Sequence, residues 1–475
     1  MRSAHGQGYF SGCHQEFVVR CRNLGARWIQ ALNRVVTVVV PSLSRRSWWS
    51  TLEWCYATVA LFALTQGPVY TLWKSSAQEA HYAPQATVSL AYFATFALVQ
   101  IPGVILMIRR FPPVLLSRAS FRALLLLLAW LTATSLISTL ARKSVPEILA
   151  LLLTTGFGVY LAVSFRMRTL LWQLVVAMTV GCLWSYVAVI RLWDGSRNII
   201  DDYWIGIYFN RNSLAPVAAV GVVAAILLVR PSGIRLRSGV IPAAVLLMVA
   251  VGCGVVFFQS ESSTALVALL IACGTALVWR LVQRTLGQRL STFMSGRTLV
   301  ATFSIVAVMV AVMLRTIVTS GSLFGRVETF SERSTIWSLN WSGFLQRPIF
   351  GWGWMAAWDV PHFRGQGVWW AVSPDNSWAH SGYFDLLLGG GVVAIALFVF
   401  WVVASYLNVE DRPQASSQDK SQVLAAVTLS LFVLAMATQE SFFVGSHFLW
   451  ATLVASLVLC QRSNPGDHQP VNATS

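Results

Sequence analysis

Apolar runs close to the roughly 20 residues that a helix needs to cross a bilayer recur along this chain. They fall at 52–73, 86–107, 121–141, 146–164, 169–190, 213–229, 239–258, 263–279, 298–319, 383–406, 422–439 and 444–460. Such a pattern leaves little choice of fold, because a backbone inside lipid must satisfy its own hydrogen bonds and consecutive helices do this locally. With 56% hydrophobic and 11% charged residues over a length of 475, the chain also lacks the polar surface to cover a soluble globule. The expectation is an all-α integral membrane protein of about 12 transmembrane helices.

Charge orients the helices, since short connections rich in Arg and Lys stay on the cytoplasmic side. Both ends inside satisfies this rule: the inner segments then hold 23 of the 34 Lys and Arg residues. The expected order is a basic cytoplasmic tail (1–50), helices 1–9 (51–319), a large extracytoplasmic loop (320–382) with short amphipathic helices, helices 10–12 (383–460) and a second cytoplasmic tail (461–475). The net charge of +16 follows from this topology. Its basic residues are spread over many short connections without interleaved aromatics, which argues against nucleic acid as a partner. None of the seven cysteines falls in an outer loop, so neither a disulfide framework nor a metal-ligand spacing emerges. A cofactor is not expected.

The chemistry-bearing residues collect on the outer side. The loop from Ser320 to Gly382 carries Arg326, Arg333, Arg347, Arg364, His362 and His380 among eight tryptophans. Within it, Ile336, Leu339 and Phe344, with Trp337 and Trp341, recur at helical spacing around Arg333, predicting a short amphipathic helix over a cavity or along the membrane. Phe350-Gly-Trp-Gly-Trp places glycines, which let a backbone approach a ligand, beside Trp352 and Trp354, whose rings stack on sugar faces or anchor at headgroups. Arg211, between Asn210 and Asn212, stands at the first turn of a span, where a positive helix end suits an anion. A snorkelling interfacial arginine is the plainer reading of that position. His380 stands at the mouth of another span, where an imidazole can serve as a base near neutral pH or as a structural group. Two arginines and a histidine on one face are what holding a diphosphate leaving group and deprotonating an attacking hydroxyl require, since guanidinium pairs bidentately with phosphate oxygens and keeps its charge. The sequence supplies no carboxylate cluster for a magnesium-dependent route.

These residues resemble the O-antigen ligase and O-antigen polymerase superfamily. The resemblance is carried by Asn210-Arg-Asn-Ser-Leu-Ala, Arg333-Ser-Thr-Ile-Trp337, Pro348-Ile-Phe-Gly-Trp-Gly353, and His380-Ser with nine residues before Gly391. It implies an inverting, metal-independent glycosyltransferase of the bacterial cytoplasmic (inner) membrane. Its donor would be an undecaprenyl-diphosphate-linked glycan, and its acceptor a hydroxyl on lipid A core, protein or wall polymer at the outer face. Arg211 and Arg333 would then bind the diphosphate and His380 would activate the acceptor, with Asn210, Asn212, Arg326, Trp337, Trp341, Trp352 and Trp354 lining the substrate site. Ser263 stands at an arginine position of the family's Ser-Arg-Thr-Ala-Leu stretch, so that contact is either absent or passes to Arg326. A polymerase or protein O-oligosaccharyltransferase of the same superfamily shares these features. From another class, a transporter or lipid-linked sugar flippase also has about twelve spans and outer arginines.

Overall fold

A computed structural model describes residues 48–72, 89–193, 195–198, 202–229, 240–285, 330–359, 379–407, 417–443 and 445–461. Helices dominate, and the described residues contain no β-strand, only an isolated bridge between Arg197 and Trp204. In chain order the helices are α1 (Trp48–Ala63), α2 (Gly67–Leu72), α3 (Ser89–Arg110), α4 (Val114–Ser117), α5 (Ala119–Leu136), α6 (Ala141–Ser164) and α7 (Met167–Ile190). There follow α8 (Arg211–Leu228), α9 (Val240–Gln259), α10 (Ser263–Thr285), α11 (Phe330–Gln346), α12 (Gly382–Leu407), α13 (Ser417–Met436) and α14 (Phe448–Gln461).

Six of these, α3, α5, α6, α7, α8 and α12, are long and apolar enough to cross a membrane, and α9, α10, α13 and α14 contain shorter apolar helical runs. This is a multi-pass membrane protein. The apolar run 298–319 lies outside the described residues. The run 52–73 is divided by a turn: Gln66 takes a positive φ of 72°, and the freed Leu64 carbonyl accepts the first N–H of α14, from Phe448, at 3.0 Å.

Contacts divide the chain into two units. The smaller is formed by Met1–Tyr56 and Val229–Met248, whose described parts are the opening turns of α1 and α9. The larger, Ala57–Leu228 with Val249–Ser475, holds the rest. Inside the larger unit α13 packs on α7, α8, α10 and α14, while α12 packs on α5, α11 and α14. Trp401, Trp450, Phe398 and Phe443 fill the centre where α12 meets α14 and the turn before it. Between helices in lipid such rings hold together by close van der Waals packing rather than by leaving water.

A break in α12 positions the segment after α11. Gly391 adopts φ 67° and ψ −164°, a conformation open essentially to glycine alone. The break frees helical carbonyls, and each finds a partner, as buried carbonyls must. Trp352 N–H donates to Leu388 O at 2.7 Å and Gly353 N–H to Gly389 O at 3.2 Å. Trp130 Nε1 donates to Gly390 O at 2.7 Å, and Val392 N–H returns a bond to Pro348 O at 2.7 Å. The stretch Pro348–Gly353 is thereby strapped to α12 by main-chain bonds. Ile336, Leu339 and Phe344 of α11 complete a small core with Trp352, Trp358, Ala379 and Leu388.

Candidate active site

The starts of α8, α10 and α12 meet the connection between α13 and α14. Asn210 caps α8: its Oδ1 accepts the Ser213 N–H at 2.9 Å and the Ser213 hydroxyl at 3.1 Å, satisfying a donor that a helix start leaves unpaired. Arg211, the first residue of the helix, has Cζ 4.7 Å from the centre of the Tyr203 ring, a cation–π contact that holds the guanidinium at the helix mouth. Behind it the loop is anchored by Tyr208, buried, with its hydroxyl donating to Thr65 Oγ1 at 3.3 Å. Burial pushes the Tyr208 phenol well above its ordinary range, so it stays protonated and neutral.

Asn212 faces a carboxylate. Its Nδ2 donates to Glu440 Oε1 at 2.6 Å, and its Oδ1 accepts from Ser262 Oγ at 2.9 Å. The second carboxylate oxygen of Glu440, Oε2, lies 3.5 Å from His380 Nδ1. Glu440 itself is only 7% exposed. The result is a continuous polar path of Ser262, Asn212, Glu440 and His380 across three helix starts and one turn. The turn is braced by its own main chain: Gly382 N–H lies 2.9 Å from Ala437 O and 3.1 Å from Glu440 O. Thr264 Oγ1 donates to Gln439 Oε1 at 3.0 Å.

His380 occupies a positive φ of 47°, in the left-handed region that His, Asn and Asp enter more readily than other non-glycine residues. This turn points the chain into α12 directly after the imidazole. With Nδ1 directed at a carboxylate, the tautomer carrying its proton on Nδ1 is favoured and Nε2 is left as the basic nitrogen. Three helix starts add positive potential where an anion would lie. The site can therefore take a proton at one atom and hold negative charge at another.

On the other side of His380, α11 packs against α12. Asn340, fully buried, donates from Nδ2 to Ala379 O at 3.3 Å, tying α11 to the residue before the imidazole. Arg333 lies on α11 seven residues earlier in the chain. The Arg333 side chain lies outside the described residues, as does Arg326 entirely. Trp337 is partly buried, its ring centre 6.2 Å from that of Phe384. Trp341 is half exposed beside Phe344. Trp352 and Trp354 are inside the protein: Trp352 donates from Nε1 to Gly343 O at 3.0 Å, and Trp354, wholly buried, donates its main-chain N–H to Ser135 Oγ at 3.1 Å. The structure thus brings Asn212 and His380 to the same carboxylate, with Arg211 at the adjoining helix start, and buries Trp352 within the strap and Trp354 directly after it.

Glu440 is the residue that sequence reasoning passed over. It is a single acid in a short polar connection, far in sequence from both partners, and nothing periodic marks it. The one available signal was an acid within Thr438-Gln-Glu-Ser441, between two apolar runs on the face already assigned to Arg211 and His380.

Residues 243–399 match the family model described as O-antigen ligase. A search of curated proteins finds no match. The matched stretch holds Ser262, Arg333 and His380, while Arg211, Asn212 and Glu440 lie beyond its two ends.

Proposed function

We propose, from the match of residues 243–399 to the O-antigen ligase family model, that this chain is a glycosyltransferase of the extracytoplasmic face. It moves a glycan from an undecaprenyl diphosphate carrier to an acceptor hydroxyl, with inversion and without a metal ion. The observation that carries this reading is the bridge from the Arg211 helix start to His380 through Asn212 and Glu440. The helix start that carries Arg211 is there joined to the imidazole through one hydrogen bond, Asn212 to Glu440, and one close pair, Glu440 to His380.

In the proposed reaction, the acceptor oxygen attacks the anomeric carbon while the carbon–oxygen bond to the diphosphate breaks. The hydroxyl proton passes to His380 Nε2, and undecaprenyl diphosphate leaves as an anion held by Arg211 and Arg333. Glu440 keeps the imidazole oriented and favours the imidazolium that forms. Trp337 and Trp341 flank the glycan, and Arg326 contributes to the diphosphate contact. The acceptor is lipid A core, protein or a wall polymer. A polymerase uses the same donor step on a second lipid-linked repeat.

The reading is tested with reconstituted protein and a polyprenyl-diphosphate-linked glycan. Arg211→Ala, Arg333→Ala and His380→Asn should each abolish transfer while leaving a folded protein in the membrane. Removal of a single charge-stabilising donor corresponds to a loss of about 3–4 kcal/mol in barrier terms. Transfer at the wild-type rate by all three variants refutes the assignment. A longer lipid-linked chain as product identifies a polymerase, and glycan on another acceptor a ligase.

A further inference from the structure

Away from the His380 site, the turn after α11 and the end of α5 enclose a cavity of about 410 Å³ lined by Thr134, Ile137, Ser138, Gln346, Arg347 and Phe350 among others. None of Arg211, Asn212, Ser262, His380 or Glu440 lines it. The strap beside it meets α12 at Leu388–Gly391, roughly two helical turns, about 10 Å, along the axis from the Gly382 end. Arg347 is its charged group. The guanidinium lies 4.3 Å over the Trp352 ring, and that ring is fixed in turn through Nε1 to Gly343 O. Stacking engages one face of a guanidinium and leaves its in-plane N–H groups for oxygen acceptors. Among the described residues no carboxylate pairs with Arg347.

The mouth of the cavity is apolar: Ile137 is 69% exposed, with Leu136, Leu345, Ile349 and Phe350 also more than half exposed. Phe350 stacks on Trp130 with ring centres 5.4 Å apart, and aromatic rings of this kind collect at headgroup depth. A fixed cation inside, aromatic rings at the interface and an aliphatic rim outside together match a molecule with an anionic head and acyl chains. We propose that this cavity binds the phosphate headgroup of an anionic phospholipid of the surrounding bilayer, with Arg347 as its phosphate ligand and the Ile137–Phe350 rim against its acyl chains. The site is separate from the transferase centre and does not depend on it.

The test is lipid retention by the purified full chain, measured by native mass spectrometry after delipidation and titration with phosphatidylglycerol or phosphatidylcholine. Wild-type protein should retain phosphatidylglycerol at least about tenfold better than phosphatidylcholine. Arg347→Gln should erase that preference, and Arg347→Lys should keep part of it because charge remains and the stacked fork is lost. Ile137→Glu, at an exposed position, should reduce retention by placing a carboxylate at the mouth; it reports on the site even if Arg347→Gln folds poorly. Equal retention of the two lipids by wild-type protein, or unchanged preference in both Arg347→Gln and Ile137→Glu, overturns the proposal. So does displacement of the bound lipid by inorganic phosphate or by a polyprenyl diphosphate at matched concentration, which would assign the cavity to free anion or to the carrier.

Discussion

Replacing Gly391 by alanine confronts the α12 break with its steric requirement. A Cβ there would sit 2.1 Å from Ile349 O, 2.3 Å from Ile349 C and 2.6 Å from Pro348 O. All three are main-chain atoms, so no side chain can swing aside. The φ and ψ of the position add strain of about 1–3 kcal/mol for any residue with a Cβ. Relief of the clash must move the strap and weaken the Val392 to Pro348 bond, a further ~1–3 kcal/mol when a buried donor loses its partner. The combined cost is roughly 2–6 kcal/mol, reaching the range for severe single substitutions. Gly252→Ala is the matched control, because a Cβ at Gly252 meets nothing within 4 Å; in a helix interior it should be neutral or stabilising by up to about 1 kcal/mol. Thermal unfolding in detergent, followed by size-exclusion chromatography of the surviving fraction, compares the two. Gly391→Ala should melt many degrees below wild type while Gly252→Ala matches or exceeds it. A Gly391→Ala protein with the wild-type melting curve would refute the account of the strap.

Glu440→Ala should cost transfer activity one to two orders of magnitude and should be non-additive with Asn212→Ala by about 1–2 kcal/mol in a double-mutant cycle, since both remove one charge-assisted bond. Strict additivity would show that the bridge is idle. Gly353→Ala, whose Cβ would fall 2.6 Å from Ser144 Oγ and 2.8 Å from Ser138 Cβ at a φ of 96°, should destabilise by roughly 2–4 kcal/mol in the same melting assay.

Hydropathy made the helical frame legible, because lipid imposes one demand that every spanning segment meets in the same way. The runs 169–190, 239–258 and 383–406 lie within a residue or two of α7, α9 and α12. Helical spacing likewise marked Ile336, Leu339 and Phe344, which are buried together on α11. Local chemistry placed Arg211 at the first turn of a span and His380 at the mouth of another, and these are the starts of α8 and α12. What periodicity could not convey was association over long separations. The sequence separation of 228 between Asn212 and Glu440 is spanned by packing of α8 and α10 on α13, and no pattern within either segment announces it. The tryptophans of Phe350-Gly-Trp-Gly-Trp read alike in sequence as ligand platforms or anchors, and only the turn at Gly351 and the break at Gly391 decide that Trp352 and Trp354 go inward. The early apolar run hid a turn for a similar reason: the Leu64 carbonyl is satisfied by a helix nearly four hundred residues later.

The strap has an evolutionary corollary. Its bonds run from peptide group to peptide group, so they are indifferent to which side chains decorate Pro348, Ile349 and Phe350, provided that Gly351 and Gly391 remain bare. Substitutions there can vary the strap's outward chemistry, and with it the molecules met at the bilayer edge, without disturbing its main-chain register on α12.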